Sequence, residues 1–326
     1  DAIDPGMQGR ISEWRKSGLN IMMSEKSEAK PVSFLEDCAV ELKDLAEYTD
    51  KLTAIFDRNG VKGTWYAHAS VGCLHVRPVL NMKQACGAET MRAIAEEAFE
   101  LVRFFGGSHS GEHGDGIVRS EFNDRMFGPV LPDLFRQVKA MFDSQGMFNP
   151  GKITDAPKMD ERELFRFAPG YEAEDFDSVL DWAAWPGAAG GVQGAVEMCN
   201  NNGACRKLTG GVMCPSYRAT RNERDVVRGR ANSLRLAMSG QLGPDAMASD
   251  AMAETMKLCV SCKACKRECP VGVDMARMKV EVTAARAAKH GTPLHDRLIG
   301  NLPAYAPLAS GLFGLSNLVQ SVWRHV

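Results

Sequence analysis

The feature that most constrains this 326-residue chain is Cys259-Val-Ser-Cys262-Lys-Ala-Cys265-Lys-Arg-Glu-Cys269-Pro270, spaced C-x2-C-x2-C-x3-C-P. Three thiols in step suit one iron–sulfur cubane, and the proline ends the loop and sends the fourth thiol to a second cluster. Zinc usually takes two separated C-x2-C knuckles, so an iron–sulfur site is preferred over zinc or four uncommitted thiols.

A crossed fourth ligand requires a second motif. Cys199, Cys205 and Cys214-Pro215 supply it, with Asn202 standing where C-x2-C-G-x-C places a cysteine. Crossing assigns Cys259, Cys262, Cys265 and Cys214 to one complete [4Fe–4S] cluster. Cys199, Cys205 and Cys269 are left for another, which would be [3Fe–4S], [4Fe–4S] with a non-cysteine ligand, or empty. Apolar spacing around these motifs predicts helices over residues 221–238, 245–258 and 275–289, interrupted at Gly240 and Gly243-Pro244 and closed by His290-Gly291. Residues 191–326 are therefore expected to form an all-α dicluster domain whose centres act in series, with 156–190 as a linker.

Residues 1–155 have a different texture, and an α+β domain is expected: an antiparallel sheet with helices laid on it. Leu42, Leu45, Leu52, Ile55 and Phe56 predict one helix within 31–58, stopped by Asn59-Gly60. Strand-like runs follow at 61–67 and 73–79, then amphipathic helices at 89–105 and 132–143. Two polar clusters exceed what a core needs. His68 and His75 flank a turn containing Gly72, and residues 108–119 combine His109, Glu112, His113 and Asp115 with three glycines. A lone histidine is more often structural, and a glycine-rich stretch can be a plain loop. Two histidines with one carboxylate nevertheless make a plausible divalent-metal set.

A net charge of −2 gives no reason to expect a nucleic-acid partner. Seven of the ten cysteines fall in the cluster motifs, and Cys38, Cys73 and Cys86 have no ligand spacing and read as buried or uncommitted thiols. This usage fits a reducing compartment. No secretory signal pattern is visible, and the opening Asp1-Ala-Ile-Asp-Pro suggests a piece of something longer. The uncharged stretch 308–323 is interrupted by glycines and polar residues, and reads as a docking helix rather than a membrane span.

Gly111-Glu112-His113-Gly114-Asp115-Gly116 and Phe148-Asn149-Pro150-Gly151-Lys152 resemble the C-terminal domain of FAD-linked oxidases of the vanillyl-alcohol-oxidase superfamily. Fusion to a ferredoxin-type domain opening at Met198-Cys199 is similar to the large bacterial D-2-hydroxyglutarate dehydrogenase-like flavin and iron–sulfur proteins. The resemblance implies a divalent metal, usually zinc, on His68, His75 and Glu112, with His113 as base and Arg15 for the substrate carboxylate. It implies that Asn149, Glu112, His113 and Gly114 face the cofactor. Most of the FAD would be held by an N-terminal domain outside this chain, without which the chain is expected to be inactive. A cysteine-rich downstream module or another electron acceptor is the expected partner.

The implied activity is oxidation of a small D-2-hydroxy acid of the 2-hydroxyglutarate, lactate or glycolate type to the 2-oxo acid. Hydride would go to FAD and single electrons onward to the clusters. The implied location is the cytoplasm, or peripheral at the inner membrane. Two alternatives stay open: an electron-transfer module that docks on a separate flavoprotein, and a zinc-binding structural protein.

Overall fold

The computed structural model describes residues 3–311, and the chain divides into two compact units. The first takes residues up to 175 with 182–202 and 270–272, and the second takes 176–181, 203–269 and 273 onwards.

The first unit is built round one strand. β1 (Lys30–Pro31), β2 (Leu35–Ala39) and β3 (Gly63–His68) all pair antiparallel with β4 (Cys73–Leu80). Val76 is the pivot, opposite Leu35 on one neighbour and Trp65 on the other, and it is fully buried. Helix α2 (Leu45–Arg58) buries Tyr48, Leu52, Ile55 and Phe56, and helix α3 (Ala85–Phe104) buries Met91, Ile94, Ala95, Ala98, Phe99 and Val102. Both sets recur every three or four residues, which is one face of a helix. Each large apolar side chain so buried contributes about 1.5–3 kcal/mol. This is the antiparallel sheet with helices expected from the sequence.

One local expectation is corrected. Residues 31–58 are not a single helix: β1 and β2 come first, then a 3-10 turn at Leu42–Asp44, and only then α2. Leu35 and Cys38 take partners on β4, and this pairing, more than thirty residues away in sequence, decides the segment. A helix not anticipated, α1 (Pro5–Met23), precedes the sheet. Asp4 caps it by accepting from the Met7 amide at 2.6 Å, and Pro5 suits its first turn.

The second unit is mostly helical, as expected. Its main helices run Val227–Met238, Asp250–Lys257 and Met275–His290, burying Leu234 and Met238, Met252 and Met256, and Met275, Met278 and Val282 respectively. Ser249 and Asp274 cap the second and third through the amides of Met252 and Arg277. Glu281 is buried within this unit and accepts from the amides of Val179 and Leu180, each at 3.0 Å. No helix among the described residues is long and apolar enough to cross a membrane. Most of the uncharged stretch 308–323 lies outside the described residues.

Candidate active site and cluster pocket

The first site begins with sheet register. His68 lies opposite Cys73 and His75 opposite Tyr66, so the two histidines are diagonal neighbours on one face of the β3–β4 hairpin. Their rings meet edge-on with centroids 5.1 Å apart. Alternation along β4 sends Cys73, His75 and Arg77 to this face, while Leu74 and Val76 enter the core. The turn between the strands closes at Gly72, whose φ is 73°. A Cβ there would sit 2.0 Å from the Val40 carbonyl oxygen, so only glycine fits.

A buried carboxylate on β2 brings Glu112 to the two histidines. Asp37 accepts from the amide of His113 at 2.8 Å, from that of Glu112 at 3.0 and 3.2 Å, and from Ser110 Oγ at 3.2 Å. It is fully enclosed, with Arg119 Nη2 at 3.6 Å. The loop so anchored points Glu112 at the hairpin. Glu112 Oε1 lies 2.9 Å from His75 Nε2, 3.1 Å from His68 Nε2 and 3.3 Å from His113 Nε2. His113 stacks on His75 with centroids 4.9 Å apart.

At His75 the donor chemistry suits a divalent cation. His75 Nδ1 lies 2.6 Å from the Glu36 carbonyl oxygen, which can only accept, so Nδ1 carries the ring proton. Nε2 is then the atom that faces the Glu112 carboxylate at 2.9 Å, a pair that a shared proton or a divalent cation would join. Tetrahedral zinc with bonds of about 2.0–2.1 Å would space its donors about 3.3 Å apart, against 2.9 and 3.1 Å from Glu112 Oε1 to the nitrogens of His75 and His68. Asp37, Cys73, His75 and Glu112 also bring one ligand atom each to within 4.8 Å of one another.

The surrounding groups are equally specific. Glu36 Oε1 lies 3.1 Å from His113 Nδ1, and its other oxygen pairs with Arg77 at 2.6 Å. Arg77 also donates to Tyr66 Oη at 3.3 Å. Arg15, on α1, donates from Nη2 to His68 Nδ1 at 3.1 Å, so a neutral His68 ring carries its proton on Nε2 and donates it to Glu112 Oε1 at 3.1 Å; holding a metal through Nε2 would require Arg15 to turn away. Burial, then the charges of Asp37 and Glu112, push the Cys73 thiol up to about 11, so it stands beside the cluster as a neutral thiol.

Other expected residues lie elsewhere. His109 is fully buried and tied to Asp115 at 3.1 Å and Asn123 at 3.2 Å, as a core group. Asn149 has φ 47°, sits on the exposed loop after 143 and accepts from Lys152. Gly114 has φ 79° and gives its carbonyl to Arg119. Sequence reading missed Glu36, Asp37, Tyr66 and Arg77. The available signal was a pair of charges, Glu36-Asp37, inside the otherwise apolar run 34–40.

The second site belongs to the helical unit. Cys214, Cys259, Cys262 and Cys265 line one pocket together with Met275 and Arg230. Ser261 and Lys263, between the cysteines, take left-handed φ values of 53° and 57°. Alternation of this kind turns successive backbone N–H groups inward, as in anion-binding nests. Burial raises the Cys265 thiol, while the amides of Met275 and Ala276, at the start of their helix, donate to its sulfur and favour the thiolate. A set of four such thiols, one of them amide-supported, fits an iron–sulfur cluster. Of the three remaining motif cysteines, Cys199 follows the helix Val192–Glu197 in the first unit. Cys205 lies in the turn Ala204–Arg206 and Cys269 follows the helix Ala264–Glu268, both in the second. No disulfide joins any of the ten cysteines.

Comparison with known proteins gives two family matches. Residues 2–153 match FAD linked oxidases, C-terminal domain, and residues 195–273 match the 4Fe-4S dicluster domain. D-2-hydroxyglutarate dehydrogenase of Pseudomonas putida is 30% identical over 96% of this chain and 34% of its own length. The protein of that name from Escherichia coli is 30% identical over 92% of the chain and 32% of its own length. Glycolate oxidase subunit GlcD of Bacillus subtilis is 26% identical over 44% of the chain and 30% of its own length. The chain thus spans about a third of the length of these relatives. The chain carries an FAD-linked oxidase C-terminal domain joined to a 4Fe-4S dicluster domain.

Proposed function

We propose that this chain supplies the substrate site and the first electron acceptors of a flavin-linked dehydrogenase for small D-2-hydroxy acids, of the 2-hydroxyglutarate, lactate or glycolate type. The carrying observation is the convergence of His68, His75 and His113 on one oxygen of Glu112. The names of the relatives support the substrate class.

His68, His75 and Glu112 would hold a divalent cation. When bound, the cation would polarise the substrate hydroxyl, and FAD would accept hydride from the α-carbon and release electrons singly. The protein's own residues do the rest. Arg15, whose Nη2 lies beside His68, would pair with the substrate carboxylate. Glu36 accepts from His113 Nδ1–H, which leaves Nε2 as the base that takes the hydroxyl proton. Arg77 holds Glu36 from the other side. Cys214, Cys259, Cys262 and Cys265 bind one [4Fe–4S] cluster.

In a protein containing both this chain and its flavin, His113→Ala should slow flavin reduction by about 100-fold or more in anaerobic stopped flow, with iron content unchanged. Unaltered reduction would remove His113 from the reaction. Iron and acid-labile sulfide then count the clusters: about eight irons means two [4Fe–4S] centres, and about four means that the three-cysteine set is empty.

A further inference from the structure

Arg230 is fully buried in the helical unit, on the helix Val227–Met238. Its Nε donates to the Thr255 carbonyl at 2.9 Å, and its Nη1 donates to Ser216 Oγ at 3.1 Å and lies 3.8 Å from Cys214 Sγ. Nη2 is buried and has no hydrogen-bond partner among the described residues. Among the described residues no carboxylate forms an ion pair with it, and the nearby Asp225 turns its Oδ1 to Arg224 at 3.2 Å. A buried cation persists where an opposite charge meets it. Arg230 lines the pocket of Cys214, Cys259, Cys262 and Cys265, so the missing negative charge is that of the cluster.

We propose that Arg230 is the counter-charge of this cluster and raises its reduction potential. The inference rests on the cluster assignment made above. A [4Fe–4S] centre with four thiolates is a dianion when oxidised and a trianion when reduced. The added electron comes from the reduced flavin, and no bond forms or breaks. A guanidinium held beside Cys214 therefore stabilises the reduced form more than the oxidised form, in an interior that screens charge poorly. Its N–H groups act in the same direction by hydrogen bonding to sulfur. Lys279, which donates to the Cys259 carbonyl at 2.6 Å, adds positive charge, and Asp274 beside Cys265 opposes both. Arg230 differs from these two in combining full burial with a hydrogen not taken up by protein.

The test is an EPR-monitored redox titration of the anaerobically purified, iron-loaded protein, read on the signal that Cys259→Ser removes. In Arg230→Gln with wild-type iron content, the reduced-to-oxidised ratio at the wild-type midpoint should fall about tenfold, a shift of about 59 mV for one electron. Arg230→Lys should fall between the two. A ratio changed less than about twofold in fully loaded Arg230→Gln would overturn the proposal. Should that variant fail to take up iron, pulsed EPR of the reduced wild-type protein labelled with guanidino-15N arginine decides. Arg230 is the arginine lining the pocket, so a weak 15N coupling is expected and its absence overturns the proposal. Wild-type protein without iron would instead defeat the cluster assignment itself, a different result from an unshifted potential.

Discussion

Asp37→Asn is the sharpest probe of the metal site, because Asp37 hydrogen-bonds to none of the three proposed ligand side chains and holds the loop bearing one of them. Its carboxylate accepts from the amides of Glu112 and His113 and from Ser110 Oγ. Hydrogen bonds to a charged group contribute about 1.5–3 kcal/mol each, and a buried donor left unpaired costs about 1–3 kcal/mol. Asparagine keeps one accepting oxygen but aims an NH2 at the other donors. The expected loss is about 3–5 kcal/mol of folding stability, near the top of the range for single substitutions. Partners that orient ligands typically change metal affinity by about 10–100-fold when removed, and the same range is expected here. Urea denaturation followed by tryptophan fluorescence measures the first, and zinc competition with a chromophoric chelator measures the second. Ser110→Ala, which removes one 3.2 Å contact, should cost only about 0.5–1.5 kcal/mol and serves as the scale. If Asp37→Asn bound zinc within about twofold of wild type, loop anchoring would not be what places Glu112.

Two further outcomes are expected. Gly72→Ala combines a left-handed backbone with a Cβ 2.0 Å from the Val40 carbonyl, and should cost more than about 2 kcal/mol in thermal or urea unfolding. A wild-type midpoint would show that the turn rearranges easily. Burial pushes the Cys38 thiol up to about 11, so the neutral form persists well above the value of about 8.5 at which an open thiol ionises. Mass spectrometry after iodoacetamide at pH 9 should find Cys38 unmodified and the exposed Cys86 alkylated, and modified Cys38 in folded protein would contradict its enclosure.

What the sequence made legible was what local pattern determines. The buried face of α3 repeats at helical spacing, so Met91, Ile94, Ala98 and Val102 announce it without reference to the rest of the chain. The cysteine run announces itself by spacing alone. β2 does not, because five residues are too few to show a period and its stability comes from β4. Glu36 and Asp37 were lost with it, since their meaning depends on a loop more than seventy residues later. α1 buries no residue, so it offers no apolar stripe to find. Arg230 looked like one of several arginines interleaved on a helix. Only packing distinguishes it, by enclosing it completely while Arg228 reaches Glu223 near the surface.

The hairpin carrying His68 and His75 has a consequence for finding such sites elsewhere. The histidines meet because 68 is paired with 73 and 66 with 75, and their separation of seven along the chain is only that pairing plus the length of the turn. A homologue with a longer turn would break the seven-residue signature while keeping both rings in place. One with a single residue inserted inside β4 would keep the residues and lose the site, since every side chain beyond the insertion would change faces. Pairing across the strands, rather than distance along the sequence, is therefore the ruler by which this ligand pair should be sought.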